Sequence, residues 1–241
     1  MSFQMSDQPF AAVEKMSDGL RAYFAKIYNY MAGGLAVSGV VAYLVAHTNL
    51  IKVFYSISPN GVSYSLLGWV AIFSPLILIF MISSSLARLN IARAQGLFWL
   101  FSALMGVSLS NIFLFFADTD IFQAFLATAG MFAGLSLYGY TTKRSLASWG
   151  SFLFMGLWGV ILASVLNLFF QSGPLNFGLS ILAVLIFVGL TVYDTQRLKR
   201  AYDVVRTDEE KQALAISGAL SLYLDFINLF RQMLYFLNNR R

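Results

Sequence analysis

Apolar runs of near twenty residues recur from Ile27 to Leu237, and that repetition constrains the fold more than any other feature of the chain. A helix rising 1.5 Å per residue needs about twenty residues to cross a hydrocarbon layer about 30 Å thick. The runs place spans at about Ile27–Ala46, Leu66–Ala87, Leu97–Ala117, Ile121–Thr141, Gly150–Phe170, Phe177–Gln196 and Ile216–Leu237. Pro75, inside the second run, predicts a kink there. Composition agrees: of 241 residues 59% are hydrophobic and 11% charged, with mean hydropathy +0.71, where a soluble domain carries about 25% charged residues. The fold class expected is all-α, a polytopic membrane protein of seven transmembrane helices. It forms one membrane domain, 27–241, behind a polar tail, 1–26.

The tail carries Asp7, Glu14, Lys15, Asp18, Arg21 and Lys26. Its acids and the late start of the first run argue against a cleavable signal peptide, so it is expected to remain, partly disordered. Lys15, Arg21, Lys26, Arg88, Arg93, Lys143, Arg144, Arg197, Lys199, Arg200, Arg206 and Lys211 fall on one side of the spans, against Lys52, Arg240 and Arg241 on the other. That bias predicts a cytoplasmic N-terminus and, after seven spans, an external C-terminus. It also accounts for the net charge of +5 without nucleic acid. The longest external loop, about 47–65, carries the turn signal Pro59-Asn60-Gly61. Thr207-Asp208-Glu209-Glu210 fits a capping box, so the last helix is expected to begin near Asp208. Ser102-x-x-x-Gly106-x-x-x-Ser110 and Gly130-x-x-x-Gly134 mark faces where helices approach closely. The chain has no cysteine and a single histidine, His47. Disulfides, thiolate metal sites, cysteine nucleophiles and multi-histidine sites are thereby excluded.

Of eleven acidic residues, nine sit in polar tails or between runs; Asp194 and Asp225 lie within apolar sequence. A carboxylate at membrane depth costs about 2.5–3.5 kcal/mol on insertion scales, so two of them point to a site facing the bundle interior. Gly218, Ser221, Asp225, Asn228 and Gln232 follow at spacings of three and four, one face of a helix. The alternative for this stripe is interhelical hydrogen bonding that only fixes packing. For Asp194 the alternative is an interfacial acid paired with a nearby Arg or Lys. If the two carboxylates meet, like charge makes them share one proton, and losing it calls for a cation. That cation is an arginine or a hard metal such as Ca²⁺. Arg88, Arg93 and Arg197 are the basic candidates, and Arg88, at the end of the second span, is best placed. Depth opposes the meeting: Asp225 lies about 25 Å along its helix from Asp208, and reaches Asp194 only if that helix protrudes or tilts.

Thr191-Val192-Tyr193-Asp194-Thr195-Gln196-Arg197 and Ser221-Leu222-Tyr223-Leu224-Asp225-Phe226-Ile227-Asn228-Leu229-Phe230, read together, resemble the transmembrane Bax-inhibitor-motif family, over most of the chain. The resemblance implies a central last helix surrounded by the other six. It implies that Asp194 and Asp225 correspond to the family's paired aspartates, the pH-sensing element of a Ca²⁺ leak, and aligns Arg88 with the residue that latches them. Bacterial leak members carry an acid in the second span, whereas here Pro75-Leu76-Ile77-Leu78 offers none. The function expected is therefore a pH-sensitive cation leak of the bacterial inner membrane. Asp194 and Asp225 are its ion-binding pair, Ca²⁺, protons and the lipid bilayer are its partners, and there is no resident cofactor. The alternative is a non-conducting regulator of a membrane-bound protease or another membrane complex. An enzyme is not expected: the chain has no paired histidines and no Gly-x-Ser-x-Gly elbow.

Overall fold

A computed structural model describes residues 8–58 and 61–238. Among the described residues, seven helices are long and apolar enough to cross a membrane. In chain order the elements are α1 (Gln8–Ala46), α2 (Ile51–Phe54), β1 (Tyr55–Ser58), β2 (Gly61–Tyr64), α3 (Leu66–Ala87), α4 (Ile91–Leu109), α5 (Ile112–Phe115), α6 (Asp118–Thr141), α7 (Ala147–Phe170), α8 (Gly173–Val204) and α9 (Asp208–Asn238).

The expected second span coincides with α3; the other boundaries move, because apolar sequence marks only the part of a helix that lies in lipid. The tail is corrected most: from Gln8 it is helical and continuous with the first span, while residues 1–7 lie outside the described residues. Leu20, Tyr23, Phe24 and Ile27 follow at helical spacing. Tyr23, Phe24 and Ile27 are buried, with the Tyr23 ring 5.0 Å from Tyr202 and that of Phe24 5.0 Å from Tyr140. The third span is interrupted, α4 ending at Leu109 and α5 following as a single turn. Ser110, between them, donates to the Val107 carbonyl at 2.7 Å. α3 runs unbroken through Pro75. Proline removes the N–H that would bond the carbonyl four residues back, at Ala71, and Ser74 Oγ donates to that carbonyl at 3.2 Å instead.

The 47–65 loop is more ordered than its turn signal implied. β1 and β2 pair antiparallel, with Tyr55 opposite Tyr64, and Tyr55 OH reaches the Val107 and Ser108 carbonyls at 3.3 Å. Gly61 has φ +128°, a conformation open to glycine; Pro59 and Asn60 lie outside the described residues. The capping box ahead of α9 is present: Thr207 Oγ1 accepts from Glu210 N at 3.2 Å, and Glu210 Oε2 accepts from Thr207 N at 3.1 Å.

α9 is the centre of the bundle. Of its most apolar stretch 72% is buried, against 39% or less for the other spans. It contacts α1, α3, α4, α6 and α8, while α7 packs on the outside of α8. Tyr223, fully buried on α9, hydrogen-bonds Ser38 Oγ at 2.7 Å, and Ser38 Oγ donates to the Ser102 carbonyl at 2.6 Å. One short polar chain thus fixes α1, α4 and α9 together.

The two small-residue stripes behave differently. A Cβ on Gly106 would stand 2.6 Å from the Ser38 carbonyl oxygen, so α1 and α4 touch through that glycine. Gly130 and Gly134 have nothing within 4 Å of such an atom. Both are exposed, on the face of α6 turned out of the bundle, which corrects the packing expected there. The close approach of α6 is made by Gly139, whose added Cβ would stand 2.6 Å from the Val192 carbonyl oxygen of α8.

Candidate functional site

The depth conflict between the two aspartates disappears because α8 and α9 both continue past the apolar segment. α8 runs ten residues beyond Asp194 to Val204, and α9 starts at Asp208. At 1.5 Å per residue the α8 overhang recovers about 15 Å of the roughly 25 Å between Asp208 and Asp225, and a side-chain contact across the two helices shows that the levels meet. Arg197 makes that contact: its guanidinium lies 3.4 Å from Asp194 Oδ1 and donates to Ser221 Oγ on α9 at 3.3 Å.

Asp194, Arg197, Ser221, Asp225, Asn228 and Gln232 line one cavity of about 1000 Å³, walled by apolar residues of α3 and α7. The side chain of Asp194 is 13% exposed and that of Arg197 50%. Asp225 is 5% exposed, and its Oδ2 has no hydrogen-bond partner among the described residues. The charges acting on it are Asp194 and Arg197. A buried carboxylate oxygen left without a donor costs free energy, which a proton, an arginine or a cation relieves.

The structure gathers part of the residue set read from the sequence. Ser221, Asp225, Asn228 and Gln232 face the cavity; Asn228 also donates to the Leu224 carbonyl of its own helix at 2.8 Å. Gly218 does not line it: an added Cβ there would stand 2.6 Å from Leu198, so this glycine is a packing contact. Arg88 lies at the C-terminal end of α3, exposed, outside the cavity lining, and without an ion pair among the described residues. Arg93, in the first turn of α4, is likewise exposed. The basic group beside the aspartates is Arg197. Its signal was present as an Asp–Arg pair three residues apart on one helix.

Sequence reasoning missed the polar contacts on the other face of α8. Ser136 Oγ lies 2.7 Å from Tyr28 OH and 3.0 Å from Thr195 Oγ1, joining α1, α6 and α8. Gln196 accepts from Leu146 N at 2.8 Å and donates to the Arg144 carbonyl at 2.7 Å, so the α6–α7 connection is tied to α8 at the residue next to Arg197. These contacts pair residues from distant runs, which spacing along one helix does not report. Arg231, inside the last run, also lines the cavity.

Six apolar helices around a buried seventh, with two carboxylates and two arginines lining one cavity between them, define a polytopic integral membrane protein with an acidic site in its bundle. The chain belongs to the family described as inhibitor of apoptosis-promoting Bax1, whose model matches residues 20–241. It is similar to the inner membrane protein YbhL of Escherichia coli K12, 41% identical over 225 residues, 92% of this chain and 94% of the relative. It is also similar to an uncharacterized protein of Borreliella burgdorferi, 43% identical over 220 residues (91% and 92%), and to one of Rickettsia prowazekii, 40% identical over 224 residues (93% and 92%).

Proposed function

We propose that this protein is a pH-gated cation leak, with Ca²⁺ as its cargo, in the bacterial inner membrane. The observation that carries the reading is the joint placement of Asp194, Asp225 and Arg197 on one intramembrane cavity, with Asp225 Oδ2 unpaired. The membrane assignment draws on YbhL, which is an inner membrane protein.

The mechanism follows from charge. With one proton on the pair, its net charge is −1, and Arg197 balances it. When that proton leaves, the pair carries −2 and holds Arg197 harder, drawing α8 and α9 together through the hydrogen bond of Arg197 to Ser221 and its attraction to Asp225. Acid returns the proton, loosens Arg197 and lets a cation occupy the cavity. Ca²⁺ takes six to eight oxygen ligands. Two carboxylates, each binding through one oxygen, with the Ser221, Asn228 and Gln232 side-chain oxygens supply fewer, so water completes the shell, as suits a site of passage.

In this reading Arg197, and not Arg88, is the latch. Arg197→Gln is expected to raise Ca²⁺ flux at neutral pH to the acid level of the parent, with Arg88→Gln close to the parent throughout. The check is flux into dye-loaded vesicles, and the reverse pattern would return the latch to Arg88.

The orientation proposed has the basic end of the bundle, with Lys143, Arg144 and Arg197–Arg206, in the cytoplasm. A phosphatase fused after Arg241 should then be active outside the cytoplasm; an inactive phosphatase together with a fluorescent fusion partner at the same point would contradict it.

A further inference from the structure

Beyond the aspartate cavity, toward the C-terminal end of α9, lies a second cavity of about 280 Å³. Its polar lining includes Asn111, Asn176 and Ser180 from the α4–α5 junction and the start of α8, and Tyr235 from α9. Arg231 and Gln232 line both cavities and are the residues common to the two. They are therefore the wall between them.

Arg231 is unusual in its position. The other fifteen of the sixteen basic residues lie in the tail, in connections or near the ends of apolar runs. Arg231 stands six residues past Asp225 on the same helix, about 9 Å further along the axis. Among the described residues it makes no ion pair. A guanidinium at that depth is costly, and in membrane proteins such a group marks an ion pathway more often than a packing position. Arg231 is exposed and stands seven residues before the end of α9, so its head group can reach toward the interface, but it lines both cavities on the way.

We infer that the two cavities are one passage from the C-terminal face to Asp225, and that Arg231 is its electrostatic gate. This deepens the leak reading by naming the second mouth of the same site. A positive charge in the neck repels a cation arriving from that face, so the aspartates are shielded from external cations while Arg231 stays in place. Gln232 and Asn228 supply neutral oxygens on the inner side of the neck.

The chain contains no cysteine, so access is readable without background. Asn228→Cys and Leu224→Cys each put a single thiol on the aspartate cavity, and two positions guard against one failing to fold. Impermeant thiosulfonate reagents of similar size, one bearing trimethylammonium and one sulfonate, are added at the C-terminal face of sealed vesicles. Both reagents should label, the anionic one faster. Adding Arg231→Gln should raise the cation-to-anion rate ratio about tenfold or more, as expected for removing one charge within a few ångströms of the path. Arg231→Lys should keep the parent ratio. A ratio unchanged by Arg231→Gln overturns the gate. Thiols that react in denaturing detergent but never from the C-terminal face overturn the passage. The readout is access and not flux, so a protein that labels as stated but conducts nothing would sink the leak and leave the passage standing.

Discussion

With Asp225 replaced by asparagine, ion flux through reconstituted vesicles is expected to be low and equal at acid and neutral pH; with Asp194 replaced, it is expected to be high and equal. The two outcomes differ because Arg197 is not shared evenly. It lies 3.4 Å from Asp194 and hydrogen-bonds Ser221, while Asp225 Oδ2 has no partner among the described residues. In Asp225→Asn the Asp194–Arg197 pair survives without a second carboxylate to share its proton. The latch stays shut and the cavity loses the charge that attracts cations. In Asp194→Asn the arginine loses the carboxylate 3.4 Å away that holds it against Ser221, and the latch opens at every pH. The acid-to-neutral flux ratio should fall to about one in both variants, since neither retains a carboxylate pair to share a proton. A ratio that stays at the parent value in both folded variants would remove the pair from the gating step.

The largest expected change in stability comes from glycines at helix contacts. Gly139→Val on α6 places its first new carbon 2.6 Å from the Val192 carbonyl oxygen and 3.0 Å from Thr195 Cβ. Backbone does not rotate away as a side chain does. The Ser136–Thr195 contact, one turn from Gly139, also holds α6 to α8. Gly106→Val meets the Ser38 carbonyl oxygen of α1 in the same way. Overpacking of this kind costs about 1–3 kcal/mol, and more where the neighbour is immobile. Gly130→Val meets nothing within 4 Å and exchanges glycine for a better helix former, so it should match the parent or exceed it. Thermal unfolding in detergent micelles is the check. Equal losses at positions 130 and 139 would contradict the helix contacts described.

Much of this was legible in the chain because a bilayer imposes a length and a composition that sequence displays directly. The seven spans, the start of α9 at its Thr207–Glu210 box and the aspartates in apolar runs were all readable that way. What escaped depends on which helix faces lie inward. Gly130 and Gly134 have the spacing of a packing face, yet lie on the outer side of α6. Gly139 closes the contact with α8 as a single glycine outside any such pattern. Arg88 sits at a plausible helix end, but α3 ends with that side chain exposed, and Arg197 stands beside the aspartates because α8 continues past the apolar segment. The same extension explains why α1 is helical ahead of its apolar run: Leu20, Tyr23, Phe24 and Ile27 form a periodic apolar side, and Tyr202 and Tyr140 supply surface for it.

The most direct test of the proposed leak is Ca²⁺ flux into vesicles holding the unaltered protein, followed over a pH series from acid to neutral, beside empty vesicles and the Asp225→Asn variant. The account predicts flux above both controls at the acid end, falling toward the controls as the pair loses its proton. Flux equal to that of empty vesicles at every pH, from protein shown to be folded, would contradict it and leave a non-conducting regulator in its place.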